Sequence, residues 1–467
     1  MAITISLLAL GLMGAQCSNS VQTNGQSGGQ QGGPGGGTAT CAQPVVQPKY
    51  TWVQLGPDGV LSARAITEDD VCPPIQLDAT CITMDVRASK AAPQFPVLTC
   101  QKAIPPSVTM AYIGSAALKL PNATGSIAVV GDTGCNDVEQ LCDTTGWPFP
   151  PIMQAVARQL PGLVIHVGDY VYRAKGCTAG TQACKTIAFR DQWNVWENDF
   201  FIPAKPSLEI APWLFIRGNH EQCTESFVGW FRFFDSGAQI PNSQADCLNN
   251  PAFNFTVPYT VSLGKMQMAV LDSSAASDTK IVAASVSAYK HQFEQLTESI
   301  NAQSWNDVWL ITHRPTWACI PFAGNPVTTG ELCSSSGATL QAALSALPLT
   351  NINRFLSGHI HFFNITSYSD NGPAQLIVGN GGDKYNYARL PGTSYITSGP
   401  RSSKVLSDSN FSDYGFALID QGPQGTWNME ALDAQGQAIR SYALTGNQFT
   451  ESAPDPMPVV DQHRSPN

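Results

Sequence analysis

The sequence has few charged residues, and most of its charge is of one sign. Asp, Glu, Lys and Arg make up 13% of the 467 residues, and the formal net charge is −10. A uniformly acidic surface repels polyanions at long range, so no nucleic-acid partner is expected. Small anionic ligands are not excluded, because a bound metal ion dominates the electric field at its own site.

Apolar runs long enough to cross a bilayer are also missing. The run from Ile3 to Met13 has the length of a signal-peptide hydrophobic region. No Lys or Arg precedes it and no clear cleavage site follows, but Cys17 stands where bacterial lipoproteins carry an acylated cysteine. We therefore expect residues 1–17 to be an export signal. It is either an ordinary cleaved signal or a lipoprotein signal that anchors the chain to a membrane through Cys17.

The sequence contains no CxxC motif, which argues against a zinc ribbon or a dithiol redox centre. It has 13 cysteines, and setting Cys17 aside leaves an even number. Their abundance favours an oxidising compartment, so we expect an extracellular, periplasmic or outer-surface location. Three close pairs predict locally closed loops: Cys135/Cys142, Cys177/Cys184 and Cys319/Cys333.

Composition divides the remaining chain into four parts. The composition predicts a Gly-rich flexible linker in residues 18–44 and a polar tail in residues 451–467. Residues 45–122 show short apolar runs without helical periodicity. They predict a small β-rich domain that Cys72, Cys81 and Cys100 staple. In residues 123–450, strands alternate with helices, which predicts a layered α/β catalytic domain.

Five of the predicted strands in the α/β region end in polar side chains of the metal-binding type. In α/β sheets, sites form outside the carboxyl ends of strands, so side chains spread over about 230 residues can converge on one crevice. Most of these chain segments begin with a glycine, which allows sharp turns and close approach of the backbone. The candidate ligands are Asp132, Asp169, Tyr172, Asn219, His313, His359 and His361.

The types of these side chains restrict the metal. Two carboxylates, a phenol, an amide oxygen and three imidazoles suit Fe, Mn or Zn better than Ca or a copper–thiolate centre. Seven ligands are too many for one catalytic metal that keeps open positions. They suit two metals that share a bridging carboxylate, about 3.5–4 Å apart, which can clamp an in-line displacement at phosphorus.

The five segments read GDTG, GDYVY, GNHE, H and GHIH, and in this order the sequence resembles the calcineurin-like metallophosphoesterase superfamily. The resemblance implies a layered β-sandwich flanked by helices. Most of that superfamily carries a histidine ligand at the position of Gly134. Here Tyr172 can replace it, and this pattern is similar to that of the purple acid phosphatase branch.

That resemblance also implies which residues bind each metal. One metal, typically ferric, would be held by Asp132, Asp169, Tyr172 and His361. A divalent metal, Fe(II), Zn or Mn, would be held by Asp169, Asn219, His313 and His359, with Asp169 bridging the two.

The expected reaction is hydrolysis of small phosphate monoesters by a metal-bound hydroxide. His220 would face the substrate, where it stabilises charge or protonates the leaving alcohol. Glu221 would orient His220 from behind. Two alternatives remain open, namely a phosphodiesterase or nucleotidase on the same metals and a non-catalytic surface binding protein with a decayed site.

Several other polar residues near the predicted strands have structural interpretations. His166 lies inside an apolar strand and is expected to be a satisfied core histidine. Arg173 and Arg314 are either phosphate contacts or structural residues. Residues 379–383 are expected to form a turn near the site.

Overall fold

The structure is a computed structural model, and the statements below concern only the residues that it describes. These are residues 41, 46–135, 146–173, 190–264, 266–302, 305, 307–321, 333–335, 337–344, 351–383, 404–422 and 426–452.

Two large sheets dominate the described residues, and their strands are numbered along the chain. The larger has the spatial order β24-β23-β22-β21-β9-β10-β11-β1-β2-β6-β5, and the smaller has the order β12-β13-β14-β17-β19-β18-β20. The larger sheet contains β1 (Tyr50–Leu55), β2 (Leu61–Thr67), β5 (Asp85–Ala88), β6 (Leu98–Ile104), β9 (Ile127–Val130), β10 (Leu163–His166), β11 (Trp213–Phe215), β21 (Gly415–Gln421), β22 (Trp427–Asp433), β23 (Ala438–Thr445) and β24 (Gln448–Ser452). The smaller contains β12 (Tyr259–Leu263), β13 (Met266–Val270), β14 (Asp307–Ile311), β17 (Arg354–Ser357), β18 (Phe363–Tyr368), β19 (Ala374–Val378) and β20 (Val405–Phe411).

Two small sheets complete the β-structure of the described residues. A four-stranded sheet contains β3 (Pro74–Leu77), β4 (Thr80–Thr83), β7 (Ala111–Ile113) and β8 (Ala116–Leu118), and a hairpin pairs β15 (Cys319–Pro321) with β16 (Cys333–Ser335). The α-helices are Phe149–Gln159, Trp193–Trp196, Ile202–Leu208, Phe227–Phe233, Gln244–Asn249, Pro251–Asn254, Ala283–Asn301 and Ala338–Leu344.

The two large sheets pack face to face and bury one apolar core between them. Val129 and Leu214 of the larger sheet belong to the same buried cluster as Trp309 and Leu356 of the smaller sheet. Helices cover the outer face of each sheet, so strands such as β10 and β14 are buried along their whole length. The predicted layered β-sandwich flanked by helices is therefore confirmed.

Helix Phe149–Gln159 shows why the predicted helices form where they do. Pro150 and Pro151 stand in its first turn, where proline leaves no hydrogen bond unmade. Ile152, Met153 and Val156 form its buried stripe. The helix ends where Leu160 adopts the left-handed conformation at φ 50°.

The β-rich N-terminal region is present, and half of its strands extend the larger sheet. β1 pairs in parallel with β11, and β2 pairs with β1 and β6. Buried Arg64 and Arg87 donate to backbone carbonyls of residues 231–235, where helix Phe227–Phe233 ends. These contacts bind the region to the sandwich, while the domain division at residue 122 stays a prediction.

Three disulfides join described cysteines, namely Cys41–Cys81, Cys72–Cys100 and Cys223–Cys247. The first two staple the N-terminal β-rich region, as predicted. Cys135 is also disulfide-bonded, but its predicted partner Cys142 lies outside the described residues, as do Cys177 and Cys184. Cys319 and Cys333 lie on the paired strands β15 and β16.

None of the helices in the described part of the chain combines the length and the apolar character that crossing a bilayer requires. The predicted signal, including Cys17, lies outside the described residues. Of the predicted linker only Cys41 is described, and of the predicted tail only residues 451 and 452, which belong to β24 rather than to a tail.

Candidate metal centre

The chain segments that follow five parallel strands meet at one end of the sandwich. β9, β10 and β11 are parallel neighbours in the larger sheet, and β14 and β17 are parallel neighbours in the smaller sheet. Their carboxyl ends therefore lie on the same side, three in one sheet and two in the other. All seven candidate ligands stand on these segments, and the contacts below link each of them to at least one other.

Two buried carboxylates lie at the centre of this group. Asp132 is 0% exposed and Asp169 is 1% exposed. Both adopt left-handed backbone conformations, with φ 56° and 60°, and His359 does so too, with φ 72°. This region is unfavourable for residues with a side chain and persists where surrounding contacts impose it, often at functional sites.

Glycines allow the neighbouring segments to approach these carboxylates. A Cβ atom at Gly218 would collide with Asp169 Oδ1, and one at Gly358 would collide with Asp132 Oδ2. The predicted reason for glycine at the start of these segments, close approach of the backbone, is therefore confirmed at both positions.

Tyr172 joins the two carboxylates to a histidine. Its hydroxyl lies 3.3 Å from Asp132 Oδ1, 3.3 Å from Asp169 Oδ2 and 3.1 Å from His361 Nε2. A Cβ atom at Gly134 would lie 2.7 Å from Tyr172 Cδ2. The tyrosine ring thus takes the space that a side chain at position 134 would need, which gives a steric reason for the GDTG and GDYVY pair.

His313 presents a defined nitrogen to the centre. Its Nδ1 lies 2.8 Å from the carbonyl oxygen of Val167, which can only accept, so Nδ1 carries the hydrogen. Nε2 is then an acceptor, yet it lies 3.1 Å from Asp169 Oδ2 and 3.0 Å from Asn219 Oδ1. Acceptors this close repel one another unless a proton or a cation lies between them, and a metal ion fits these atoms.

The two histidines of the GHIH segment each contact a further aspartate. His361 Nδ1 lies 3.3 Å from Asp383 Oδ2, and His359 Nε2 lies 3.0 Å from Asp278 Oδ2. Neither Asp278 nor Asp383 was identified from the sequence.

Three of the candidate ligands are close enough to share one metal ion. One ligand atom from each of Asp169, His313 and His359 lies within 4.8 Å of the other two, and this group could hold a metal ion.

Burial shapes the electrostatics of the site. It raises the pKa of Asp132 well above its usual range, and the nearby Asp169 carboxylate adds to the effect. It also raises the pKa of the Tyr172 hydroxyl, with further contributions from Asp169 and Asp132. Burial lowers the pKa of His359 to about 4. A cation at the centre opposes the shifts of the two acidic groups, because it stabilises their ionised forms.

His220 lies beside the group of candidate ligands. Its ring centroid is 4.4 Å from that of Tyr172, and its backbone N–H donates to Asp169 Oδ1 at 2.9 Å. Its carbonyl accepts from the backbone N–H and the hydroxyl of Ser226. The backbone of His220 is therefore held on both sides, next to the place expected for a substrate.

The contacts of Glu221 differ from the expected contact with the His220 ring. Its carboxylate accepts backbone N–H groups from Asp169, Tyr170, Val171 and Gly218, at distances of 2.9 to 3.3 Å. The side chain reaches these amides because residues 219–221 form a single 3-10 turn that directs it under the neighbouring segment. Glu221 thus holds two candidate-ligand segments together.

Polar residues near the strands that are not candidate ligands have mostly structural contacts. His166 is 0% exposed, and its Nε2 lies 2.8 Å from Thr133 Oγ1, so it is a satisfied core histidine as predicted. Arg173 forms a buried ion pair with Asp199. In the predicted turn at residues 379–383, Asp383 donates its backbone N–H to the carbonyl of Asp132 at 2.8 Å.

The sequence profile of the calcineurin-like phosphoesterase family matches residues 125–363, a little over half of the chain. The chain therefore belongs to the calcineurin-like phosphoesterase family, as its motifs predicted. Membership identifies it as a phosphoesterase and implies a dinuclear metal site, which the donor set described above fits.

Solved structures agree with this fold. A purple acid phosphatase, PPD1 from yellow lupin (Lupinus luteus) seeds, superimposes with a TM-score of 0.56 at 13% identity, covering 86% of this chain and 74% of that one. PhoD superimposes with a TM-score of 0.54 at 11% identity, covering 86% and 91%. At these identities the similarity shows the fold alone. No curated protein sequence matches the chain.

Proposed function

We propose that this chain hydrolyses phosphate monoesters at a two-metal centre, in the manner of an acid phosphatase. One observation carries the proposal, namely the convergence of acceptor atoms from five strand ends, with His313 Nε2 only 3.1 Å from Asp169 Oδ2. Cations among these buried acceptors would relieve their mutual repulsion, and two metal ions fit the donor set.

In this proposal the ligands divide into two sets that share Asp169. Asp132, Tyr172 and His361 complete the first set, and the contacts of the Tyr172 hydroxyl with the other three members support this grouping. Asn219, His313 and His359 complete the second set. We assign Fe(III) to the first, because phenolate and carboxylate are hard anionic donors, and divalent Fe, Zn or Mn to the second.

The bound metals would supply Lewis acidity and a water of lowered pKa as the nucleophile. The protein residues supply position and proton control. Asp169 aligns both ligand sets. It also accepts a hydrogen bond from the backbone N–H of His220, which fixes this residue's backbone beside the centre. We assign the His220 ring to the leaving group, where it stabilises developing charge or donates a proton to the departing alcohol.

The first test is metal content together with hydrolysis of paired substrates. We expect about two metals per chain, and faster turnover of p-nitrophenyl phosphate than of bis(p-nitrophenyl) phosphate. Removal of the metals by a chelator should abolish hydrolysis, and adding them back should restore it.

Other outcomes of this experiment would assign a different function to the chain. A kcat/KM at least tenfold higher for the diester would assign a phosphodiesterase or nucleotidase instead. Correctly folded protein that contains no metal would contradict the proposal that the chain is an enzyme and would favour a surface binding protein.

Tyr172→Phe tests the ferric assignment. If Tyr172 binds Fe(III) as a phenolate, charge transfer gives the protein a visible absorption band. The variant should lose this band and keep its fold. Tyr112→Phe is a suitable control, because Tyr112 lies in the four-stranded sheet and pairs with Gln76. Two metals without a visible band in the wild-type protein would remove the ferric–tyrosinate assignment and keep the phosphoesterase.

We also propose that the protein is exported. Three disulfides between described cysteines support an oxidising compartment. Labelling with a radioactive fatty acid tests the anchor, since Cys17→Ser should abolish labelling of a lipoprotein.

A further inference from the structure

Asp278 contacts the candidate centre from outside the five motif segments. It lies between β13 and helix Ala283–Asn301. Its Oδ2 is 3.0 Å from His359 Nε2, and the same oxygen pairs with Arg314 Nη1. The Asp278 side chain is 20% exposed and that of His359 is 12% exposed, so the pair lies largely out of water.

The Asp278 carboxylate is held in place by other contacts. The backbone N–H of Gly337 donates to Asp278 Oδ1 at 3.3 Å, and that of Ala338 donates to the Asp278 carbonyl at 3.0 Å. Ser277 accepts from the N–H of Thr339 at 3.1 Å in the same way. The start of helix Ala338–Leu344 therefore fixes the segment that carries the carboxylate.

The backbone of His359 is also fixed. Its N–H lies 3.0 and 2.8 Å from the two carboxylate oxygens of Asp132, and its φ is 72°. The backbone and the Nε2 atom of His359 are thus both held, with Nε2 toward Asp278, and Nδ1 is the nitrogen that remains for a metal in the proposed site. Which nitrogen carries the hydrogen then decides whether the ring can act as a ligand.

Two arrangements of the hydrogen are chemically distinct. In the first, His359 Nε2 donates to Asp278, and Nδ1 has a free lone pair. In the second, Arg314 donates to Nε2, from which its Nη1 is 2.8 Å away, and the hydrogen on Nδ1 blocks metal binding there. Asp278 Oδ2 can accept from both neighbours at once, whereas Nε2 cannot donate and accept together.

We propose that Asp278 is a positioning residue, which keeps the hydrogen of His359 on Nε2 and so presents Nδ1 to the metal shared with Asp169 and His313. This inference rests on the proposed two-metal function. In this arrangement Arg314 partly neutralises the charge of Asp278, and it is not required to keep the His359 hydrogen on Nε2. Carboxylates behind metal-bound histidines orient the ring and raise its basicity.

The test is zinc binding to metal-free protein, measured by competition with a chromophoric chelator. Asp278→Asn should weaken one of the two sites about 10- to 100-fold and change the other by less than about threefold. Arg314→Met should leave both sites within about threefold of wild type. Asp420→Asn, at an exposed position on β21, is the surface control.

A second measurement uses the wild-type protein, so it does not depend on whether a variant folds. A long-range proton–nitrogen NMR spectrum of the zinc-bound protein, which has seven histidines, reads each tautomer directly. We expect the His359 hydrogen on Nε2. A hydrogen on Nδ1, or a loss of zinc affinity in Arg314→Met but not in Asp278→Asn, would overturn the inference while leaving the phosphoesterase intact. Wild-type protein that binds no zinc or iron would overturn the two-metal proposal and this inference together.

Discussion

Asp169→Asn is expected to lower kcat for phosphate ester hydrolysis by at least about 1000-fold and to reduce the bound metal below two ions per chain. In the proposed site, Asp169 is the one ligand common to both metals. Two-metal catalysis stabilises the transition state by several kcal/mol, and each 1.4 kcal/mol corresponds to a factor of ten in rate.

The geometry indicates that this variant keeps its fold. Asparagine has nearly the shape of aspartate, and its amide N–H can donate to His313 Nε2, which lies 3.1 Å from Asp169 Oδ2. The remaining oxygen can still accept the His220 N–H, which lies 2.9 Å from Asp169 Oδ1. Burial raises the pKa of Asp132, and replacing the Asp169 carboxylate by a neutral amide relieves the repulsion that adds to this effect.

Thermal unfolding of the metal-free proteins separates the two effects. The melting temperature of metal-free Asp169→Asn should equal or exceed that of metal-free wild type, while metal content and kcat fall. Asp420→Asn, at an exposed position on β21, serves as a matched control with unchanged values. A variant that kept two metals and lost less than tenfold in kcat would show that Asp169 does not bridge.

The part of the site that the sequence could predict is the part that follows strands. Asp132, Asp169 and His313 each stand two or three residues beyond the end of a buried strand, just after the apolar run stops. Parallel strands then bring these residues to one edge, whatever their separation in sequence. Local sequence patterns were therefore enough to predict that the candidate ligands converge.

The residues behind the ligands could not be found in the same way. Asp278 reaches His359 only because the start of helix Ala338–Leu344 holds residues 277 and 278. Asp383 reaches His361 through the turn that follows β19. Both contacts depend on tertiary packing between distant segments, and a lone aspartate in a loop has no local pattern that distinguishes it.

The N-terminal region shows a similar division. Its β character was readable from short apolar runs broken by proline and glycine. The pairing of β1 with β11 could not be predicted, because a strand that is buried on both faces, such as β1, can pair with the edge of any sheet. The contacts of the buried arginines could not be predicted either, since the carbonyls that Arg64 and Arg87 satisfy lie 169 and 145 residues away in the sequence.

Glu221→Ala is expected to reduce the free energy of unfolding of the metal-free protein by about 3–5 kcal/mol. The buried carboxylate of Glu221 accepts four backbone N–H groups, and each unsatisfied buried donor costs about 1–3 kcal/mol, part of which water in the vacated space recovers. Urea unfolding followed by circular dichroism measures the change. Glu298→Ala, at an exposed position on helix Ala283–Asn301, should change it by less than about 0.5 kcal/mol.

The same variant separates the two roles considered for Glu221. If the carboxylate holds the segments of Asp169 and Gly218 together, Glu221→Ala loosens ligands of both metals, so metal affinity and stability fall together with kcat. If instead it oriented the His220 ring, kcat would fall while metal content and unfolding free energy stayed near wild type. The four amide contacts predict the first pattern, and finding the second would show that holding the segments is not what Glu221 contributes.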